Sequence, residues 1–156
     1  MNLEKLFTLD PNNEEHVRLF DEFQKENNIN NNIIEILKTN QSENIIKECL
    51  FLEEKGQIKD YCFIYAEKDR KAATLEFANI NKKTGKRKII NLAQEYSFNA
   101  LNMQTVVIST DPNNKNLIDN LTNLEYENLG EDNGKLVFMK EKELDKEQGM
   151  IRHGNN

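Results

Sequence analysis

The fold is decided by residues 73–101, which read ATLEFANINKKTGKRKIINLAQEYSFNAL. The β-branched and aromatic run at 73–80 predicts a strand, and apolar residues at helical spacing over 89–101 predict a helix. Between them lies the loop 82–88, in which five of seven residues are cationic. Positive side chains are unfavourable at a helix N-terminus, whereas the backbone N–H groups there bind anions. The loop is therefore interpreted as a phosphate-type site, with a solvated Lys-rich turn as the alternative.

The rest of the chain divides into further strand-like and helix-like segments. Short polar separators at 53–57 and 67–70 favour antiparallel hairpins, and Asn13 is suited to cap the first helix. The predicted elements are strand 3–9, a helix from Asn13, helix 33–37, strands 45–52, 58–66 and 73–80, helix 89–101, strand 105–109, helix 115–124, and strands 126–129 and 135–140. Their order is β-α-α-β-β-β-α-β-α-β-β.

Length and composition indicate one globular domain. The chain has 156 residues, of which 37% are hydrophobic and 31% charged. We assign residues 1–140 to a single domain and 141–156 to a charged, flexible tail. No apolar run approaches the roughly 20 residues that span a bilayer, and the N-terminus does not resemble a signal peptide. We therefore expect a cytoplasmic protein without membrane association.

Charge and cysteine usage narrow the classes of partner. A net charge of −6 argues against sequence-independent nucleic-acid binding, although phosphate contacts by the basic loop remain a weaker alternative. Cys49 and Cys62 lie in strand-like apolar runs and are expected to be reduced core residues. His16 and His153 lack neighbours suited to ligate a metal. Exposed sheet edges leave a homodimer open as an alternative to a monomer.

This order of elements, with a phosphate-type loop before the third long helix, resembles the GNAT superfamily of N-acetyltransferases. Residues 111–126, DPNNKNLIDNLTNLEY, are similar to the signature that follows the family's fifth strand, with Asn114, Leu121, Leu124 and Tyr126 in register. The family's loop pattern, Gln/Arg-x-x-Gly-x-Gly/Ala, matches residues 82–87 best. The resemblance implies an α/β (α+β) fold with a mostly antiparallel, mixed central sheet of about seven strands, flanked by about four helices.

The resemblance also implies acetyl-CoA as co-substrate and an amine as acceptor. The pyrophosphate would lie on amides of the basic loop, and the pantetheine arm would run along the fourth strand. Arg87 replaces the second small residue of the loop pattern, and either crowds these amides or contacts a phosphate through its guanidinium. The implied cofactor-binding residues are Ala78, Ile80, Lys82, Gly85, Lys86, Arg87, Lys88 and Asn114.

Glu76 is the candidate general base, because it is the one carboxylate in a largely apolar strand, at a position that resembles the family's base. The alternative is a solvated strand face. Leu121 stands where many members carry a catalytic tyrosine, and Glu125 stands where they have glycine. These departures keep open a catalytically inactive GNAT-like module that binds CoA or another protein. The acceptor is expected to be chosen by residues 26–32 and 130–134.

Overall fold

The computed structural model of the protein describes residues 3–39, 42–80 and 85–143. The predicted order of elements is confirmed, and one π-helical turn, Tyr96–Ala100, extends the third helix. The elements are β1 (Lys5–Thr8), α1 (Glu14–Glu26), α2 (Ile33–Lys38), β2 (Ile45–Glu54), β3 (Gln57–Glu67), β4 (Ala72–Phe77), α3 (Lys88–Glu95), β5 (Thr105–Thr110), α4 (Lys115–Asn123), β6 (Glu127–Asp132) and β7 (Lys135–Glu141).

The strands form a seven-stranded sheet in the order β1-β2-β3-β4-β5-β7-β6. Every neighbouring pair is antiparallel except β4 and β5, which are parallel. A parallel pair needs a long crossover, and the chain supplies it as α3 with its π-helical turn. The predicted hairpins joining β2, β3 and β4 are therefore confirmed, and so is the mixed, mostly antiparallel sheet.

The two faces of the sheet carry separate hydrophobic clusters. Residues of α1 and α2 cover one face, with the rings of Phe20 and Phe23 packed on Tyr61 of β3. Residues of α3 and α4 cover the other face, where Ile89, Ile90 and Leu121 are buried with β5. On β4, Ala73 and Leu75 belong to the second cluster. Because side chains alternate along a strand, Glu76 points to the α1–α2 face.

Several boundaries differ from those predicted. β4 ends at Phe77 instead of residue 80, and the sixth strand runs Glu127–Asp132 instead of 126–129. β4 ends where its ladder with β3 ends, with Phe77 opposite Cys62, and its pairing with β5 has already ended at Leu75. Alternation of apolar residues reports which face a side chain occupies, and it carries no signal for the point at which a neighbouring strand departs.

The start of the predicted tail is part of the fold. Glu141 is the last residue of β7, and the Lys142 N–H donates to the carbonyl of Gln104 over 2.8 Å. Residues 144–156 of the predicted tail lie outside the described residues. Cys49 and Cys62 are buried and free. Among the described residues, no helix is both long and apolar enough to cross a bilayer.

Candidate functional site

The separation of β4 from β5 exposes a strand edge inside the sheet. The parallel register runs from Ala72 opposite Thr105 to Leu75 opposite Ile108 and then ends. The next N–H that bonds toward β3 is that of Ala78, which donates to the Tyr61 carbonyl over 3.1 Å. Backbone groups of successive strand residues point to alternate sides. The N–H and C=O of Phe77 therefore face the gap, where β5 no longer pairs with β4.

A cleft of about 660 Å³ fills this gap, and we term it the strand cleft. Its walls are the end of β4 with the residues after it, the end of β5, and the first turn of α4. The lining residues are 76–80, 109–111, 113–117 and Lys135. It therefore brings together Glu76, Ala78, Ile80 and Asn114 of the predicted site residues.

A smaller cleft of about 240 Å³, termed the loop cleft, adjoins the same strand from the α1–α2 side. It is lined by 28–31, Ile33, Tyr61, Glu76, Phe77 and Asn79. Three of these residues, Glu76, Phe77 and Asn79, also line the strand cleft. Part of the predicted acceptor-selecting segment 26–32 thus borders one of the two clefts, whereas the segment 130–134 lines neither of them.

Tyr61 organises the wall of the loop cleft. Its hydroxyl donates to Oε1 of Gln24 over 3.0 Å and accepts from Nδ2 of Asn31 over 2.9 Å. Burial raises the pKa of Tyr61, and the nearby charges, including that of Glu76, act in the same direction. The phenol is therefore neutral and fixed in place. The side chain of Glu76 is exposed beside it, which agrees both with the predicted role of general base and with the alternative of a solvated strand face.

Asn114 caps helix α4. Its Oδ1 accepts a hydrogen bond from the backbone N–H of Leu117 over 3.2 Å, which satisfies one of the free donors at the helix start. The same residue lines the strand cleft. Asn114, which the sequence predicts to be a cofactor-binding residue, therefore lies at the cleft wall and also caps helix α4.

The basic loop is described in part. Gly85 has φ of 101°, in the left-handed region that favours glycine, and Gly85, Lys86 and Lys88 are exposed. The ammonium of Lys88 binds Oε1 of Glu4 over 2.6 Å, and this contact raises the pKa of Lys88. Lys82, the predicted first residue of the loop pattern, lies outside the described residues.

Arg87 turns into the protein instead of toward solvent. It is 4% exposed, its Nε and Nη2 donate to the two carboxylate oxygens of Asp60 over 2.9 Å and 2.8 Å, and Nη2 also donates to the Ala78 carbonyl over 3.0 Å. Its backbone N–H donates to Oδ1 of Asn120 over 3.0 Å. Both Asp60 and Asn120 were missed by sequence reasoning. The criterion that selected Glu76 could also have found Asp60, because Asp60 too is a lone carboxylate inside an apolar strand.

The departures from the family signature have structural counterparts. Leu121, at the tyrosine position, is fully buried in the core. The Tyr126 hydroxyl is buried without a hydrogen-bond partner among the described residues, and Tyr126 lines neither cleft. Glu125, at the glycine position, has φ of 65°. Within the described part of the chain, His, Cys, Asp and Glu side chains form no group of three or more that could hold a metal ion.

Solved structures share this architecture, although no protein-family model and no curated protein matches the chain. The N-acetyltransferase PseH of Campylobacter jejuni in complex with acetyl coenzyme A matches with a TM-score of 0.64 at 15% identity, over 90% of this chain and 100% of PseH. The chain has the GNAT fold. A mutant form of the spermidine/spermine N-acetyltransferase SpeG of Vibrio cholerae matches with a TM-score of 0.66 at 14% identity, over 96% and 98% of the two chains. The GNAT fold, predicted from the order of elements together with residues 111–126, is thereby confirmed.

Proposed function

We propose that this chain is an N-acetyltransferase that moves the acetyl group of acetyl-CoA to a primary amine. The observation that carries the proposal is the pair of adjoining clefts that share Glu76, Phe77 and Asn79. A group-transfer enzyme with two substrates needs two approaches that meet at one point, and these three residues lie at such a point. The GNAT-fold protein PseH has been solved with acetyl coenzyme A, which supports this choice of donor.

The strand cleft suits the donor. The free N–H and C=O of Phe77 offer the hydrogen bonds of an added strand to an extended pantetheine arm, which carries amide groups. The turn that contains Gly85 and Lys86 offers backbone N–H groups and a cationic side chain for the pyrophosphate. In this arrangement Ala78, Ile80, Gly85, Lys86 and Lys88 serve the donor, and Asn114 holds the cleft wall formed by α4.

The loop cleft suits the acceptor amine. An amine that attacks a thioester must be neutral, and Glu76 lies where the acceptor would meet the donor. Glu76 accepts the proton of the acceptor's ammonium, and the nitrogen then bonds to the thioester carbon. As the carbon–sulfur bond breaks, CoA leaves as its thiolate, and the nitrogen loses its second proton to solvent to give the neutral amide. Because Leu121 is an apolar core residue, the thiolate leaves without a proton from that side chain.

The test is direct binding followed by turnover. Acetyl-CoA is titrated calorimetrically into the protein, and release of free thiol is then followed across a panel of primary amines. We expect saturable binding and amine-dependent thiol release. Binding without transfer to any amine would indicate the inactive CoA-binding module instead, and absence of binding at high micromolar acetyl-CoA would overturn the proposal.

A further inference from the structure

The side chain and backbone of Arg87 connect β3, the residue that follows β4, and helix α4. The guanidinium binds Asp60 on β3 and the carbonyl of Ala78 just after β4. The backbone N–H of the same residue binds Asn120 on α4. A paired fork of two N–H donors on a carboxylate fixes orientation as well as distance. One residue thus sets the position of the start of α3 relative to β3, β4 and α4.

The turn before Arg87 is held from the opposite side. The carbonyl of Gly85 accepts hydrogen bonds from Nδ2 of Asn116 over 2.9 Å and from Nδ2 of Asn120 over 3.1 Å. Asn120 therefore accepts from Arg87 and donates to Gly85 with the two ends of one amide. Asn116 and Asn120 are themselves buried. The turn 85–87 is fixed by α4 at one end and by Asp60 at the other.

This arrangement removes two donor groups of Arg87, its backbone N–H and its guanidinium, from any anion bound at the loop. The Arg87 N–H is used by Asn120, and the guanidinium is used by Asp60 and Ala78. The backbone N–H groups of Gly85 and Lys86 are not bonded to any described residue. Preorganisation of the turn can offset the binding energy lost with these donors, because a turn that is already ordered loses less entropy when a ligand binds.

We propose that Arg87 is a positioning residue for the diphosphate of the donor. Through Asp60, Ala78 and Asn120, it holds the turn 85–87 at a fixed distance from the end of β4, where the thioester reacts. The inference rests on the proposed acetyl transfer. It assigns to Arg87 a role without direct contact to the donor, in place of the phosphate contact considered from the sequence.

The experiment compares two donors that differ only beyond the pantetheine arm. S-acetylpantetheine carries the same thioester as acetyl-CoA but lacks the diphosphate and the nucleotide. The quantity compared is kcat/KM for acetyl-CoA divided by kcat/KM for S-acetylpantetheine. We expect Asp60→Asn to lower this ratio by about tenfold or more, because displaced binding groups reduce rates by this order. The change should appear as a higher KM for acetyl-CoA. A general loss of structure would lower both values together and leave the ratio unchanged.

A double variant keeps the test valid if Asp60→Asn fails to fold. Asp60→Leu combined with Arg87→Met replaces the buried ion pair by apolar side chains, an exchange that many proteins tolerate. It is expected to lower the same ratio about tenfold, as an order of magnitude for misplaced binding groups. The matched control is Arg70→Met, which removes an arginine that is 75% exposed in its side chain at the opposite end of β4. This control should leave the ratio as in the wild type.

The outcomes separate the two proposals. A folded double variant whose ratio equals that of the wild type would overturn the positioning role alone. A wild-type protein that uses neither donor and does not bind CoA would overturn the proposed function and this inference with it. If the wild type binds CoA without turnover, the ratio of the association constants of CoA and pantetheine takes the place of the kinetic ratio, and the same fall is expected.

Discussion

The guanidinium of Arg87 donates to both carboxylate oxygens of Asp60, over 2.9 Å and 2.8 Å, and both side chains are buried. When a buried pair loses one partner, the remaining charge stays buried without compensation. We expect Asp60→Asn to lower the free energy of unfolding by about 3–5 kcal/mol, measured by urea denaturation. The matched control is Glu67→Gln, which removes the carboxylate beside the largely exposed Arg70 and should cost less than about 1 kcal/mol. Equal costs for the two variants would contradict the role of the buried pair.

Two asparagines cap helices in the same way but lie at different sites. Asn13 accepts from the N–H of His16 over 3.1 Å, and Asn114 accepts from that of Leu117 over 3.2 Å. Replacing either one with alanine should lower the free energy of unfolding by about 1 kcal/mol, the usual cost of a lost cap. Only Asn114→Ala should also weaken acetyl-CoA binding in calorimetry, because Asn114 lines the strand cleft. Equal affinities in the two variants would remove Asn114 from the donor site.

Glu125 lies in the left-handed region, with φ of 65°, between α4 and β6. A residue with a Cβ pays about 1–2 kcal/mol in this conformation, whereas glycine adopts it freely. We expect Glu125→Gly to raise the free energy of unfolding by up to about 1 kcal/mol, after the greater entropy of glycine in the unfolded chain is subtracted. Thermal and urea unfolding of the variant and the wild type measure this difference in stability. A lower midpoint in both would show that the side chain of Glu125 stabilises this turn.

The hydroxyl of Tyr96, in the π-helical turn, donates to Oε1 of Glu48 on β2 over 2.5 Å. Burial, followed by this hydrogen bond, raises the pKa of Tyr96 to about 12. An unfolded tyrosine titrates near pH 10, so between about pH 10 and 12 the unfolded chain loses this proton while the folded one keeps it. The stabilisation is therefore complete below about pH 10 and is lost as the pH rises through about 12.

Tyr96→Phe tests this linkage. Its free energy of unfolding should fall less steeply than that of the wild type between about pH 10 and 12, because one linked proton is removed. Urea titrations at a series of alkaline pH values measure the slope. Equal slopes for the two proteins would contradict the assignment.

Sequence patterns were sufficient for the fold, and they selected two candidate residues that line one cleft. Polar separators gave the hairpins that join β2, β3 and β4, and the loop 82–88 with residues 111–126 gave the family resemblance, because these features act over short stretches of chain. The structure then placed Glu76 and Asn114 at one cleft. These predictions depended on local spacing, which a sequence displays directly.

The internal role of Arg87 could not be read from the sequence. Its partners Asp60 and Asn120 lie 27 and 33 positions away, and no local pattern links them to the loop. A cationic loop in an acidic chain is expected to face solvent, since arginine is rarely buried unless it is paired. The ion pair with Asp60 supplies that condition, and it becomes visible only when β3 is placed beside the start of α3.

The most direct test of acetyl transfer at the shared edge of the two clefts is amine-dependent thiol release by the wild type and by Glu76→Gln. We expect kcat to fall by about 10²-fold or more in this variant, as for loss of a general base, and the deficit to shrink at alkaline pH, where the amine is already neutral. Glu127→Gln, which changes an exposed carboxylate on β6, should retain wild-type kcat. If Glu76→Gln released thiol as fast as the wild type at neutral pH, or if the wild type released none with any amine, the account would be contradicted.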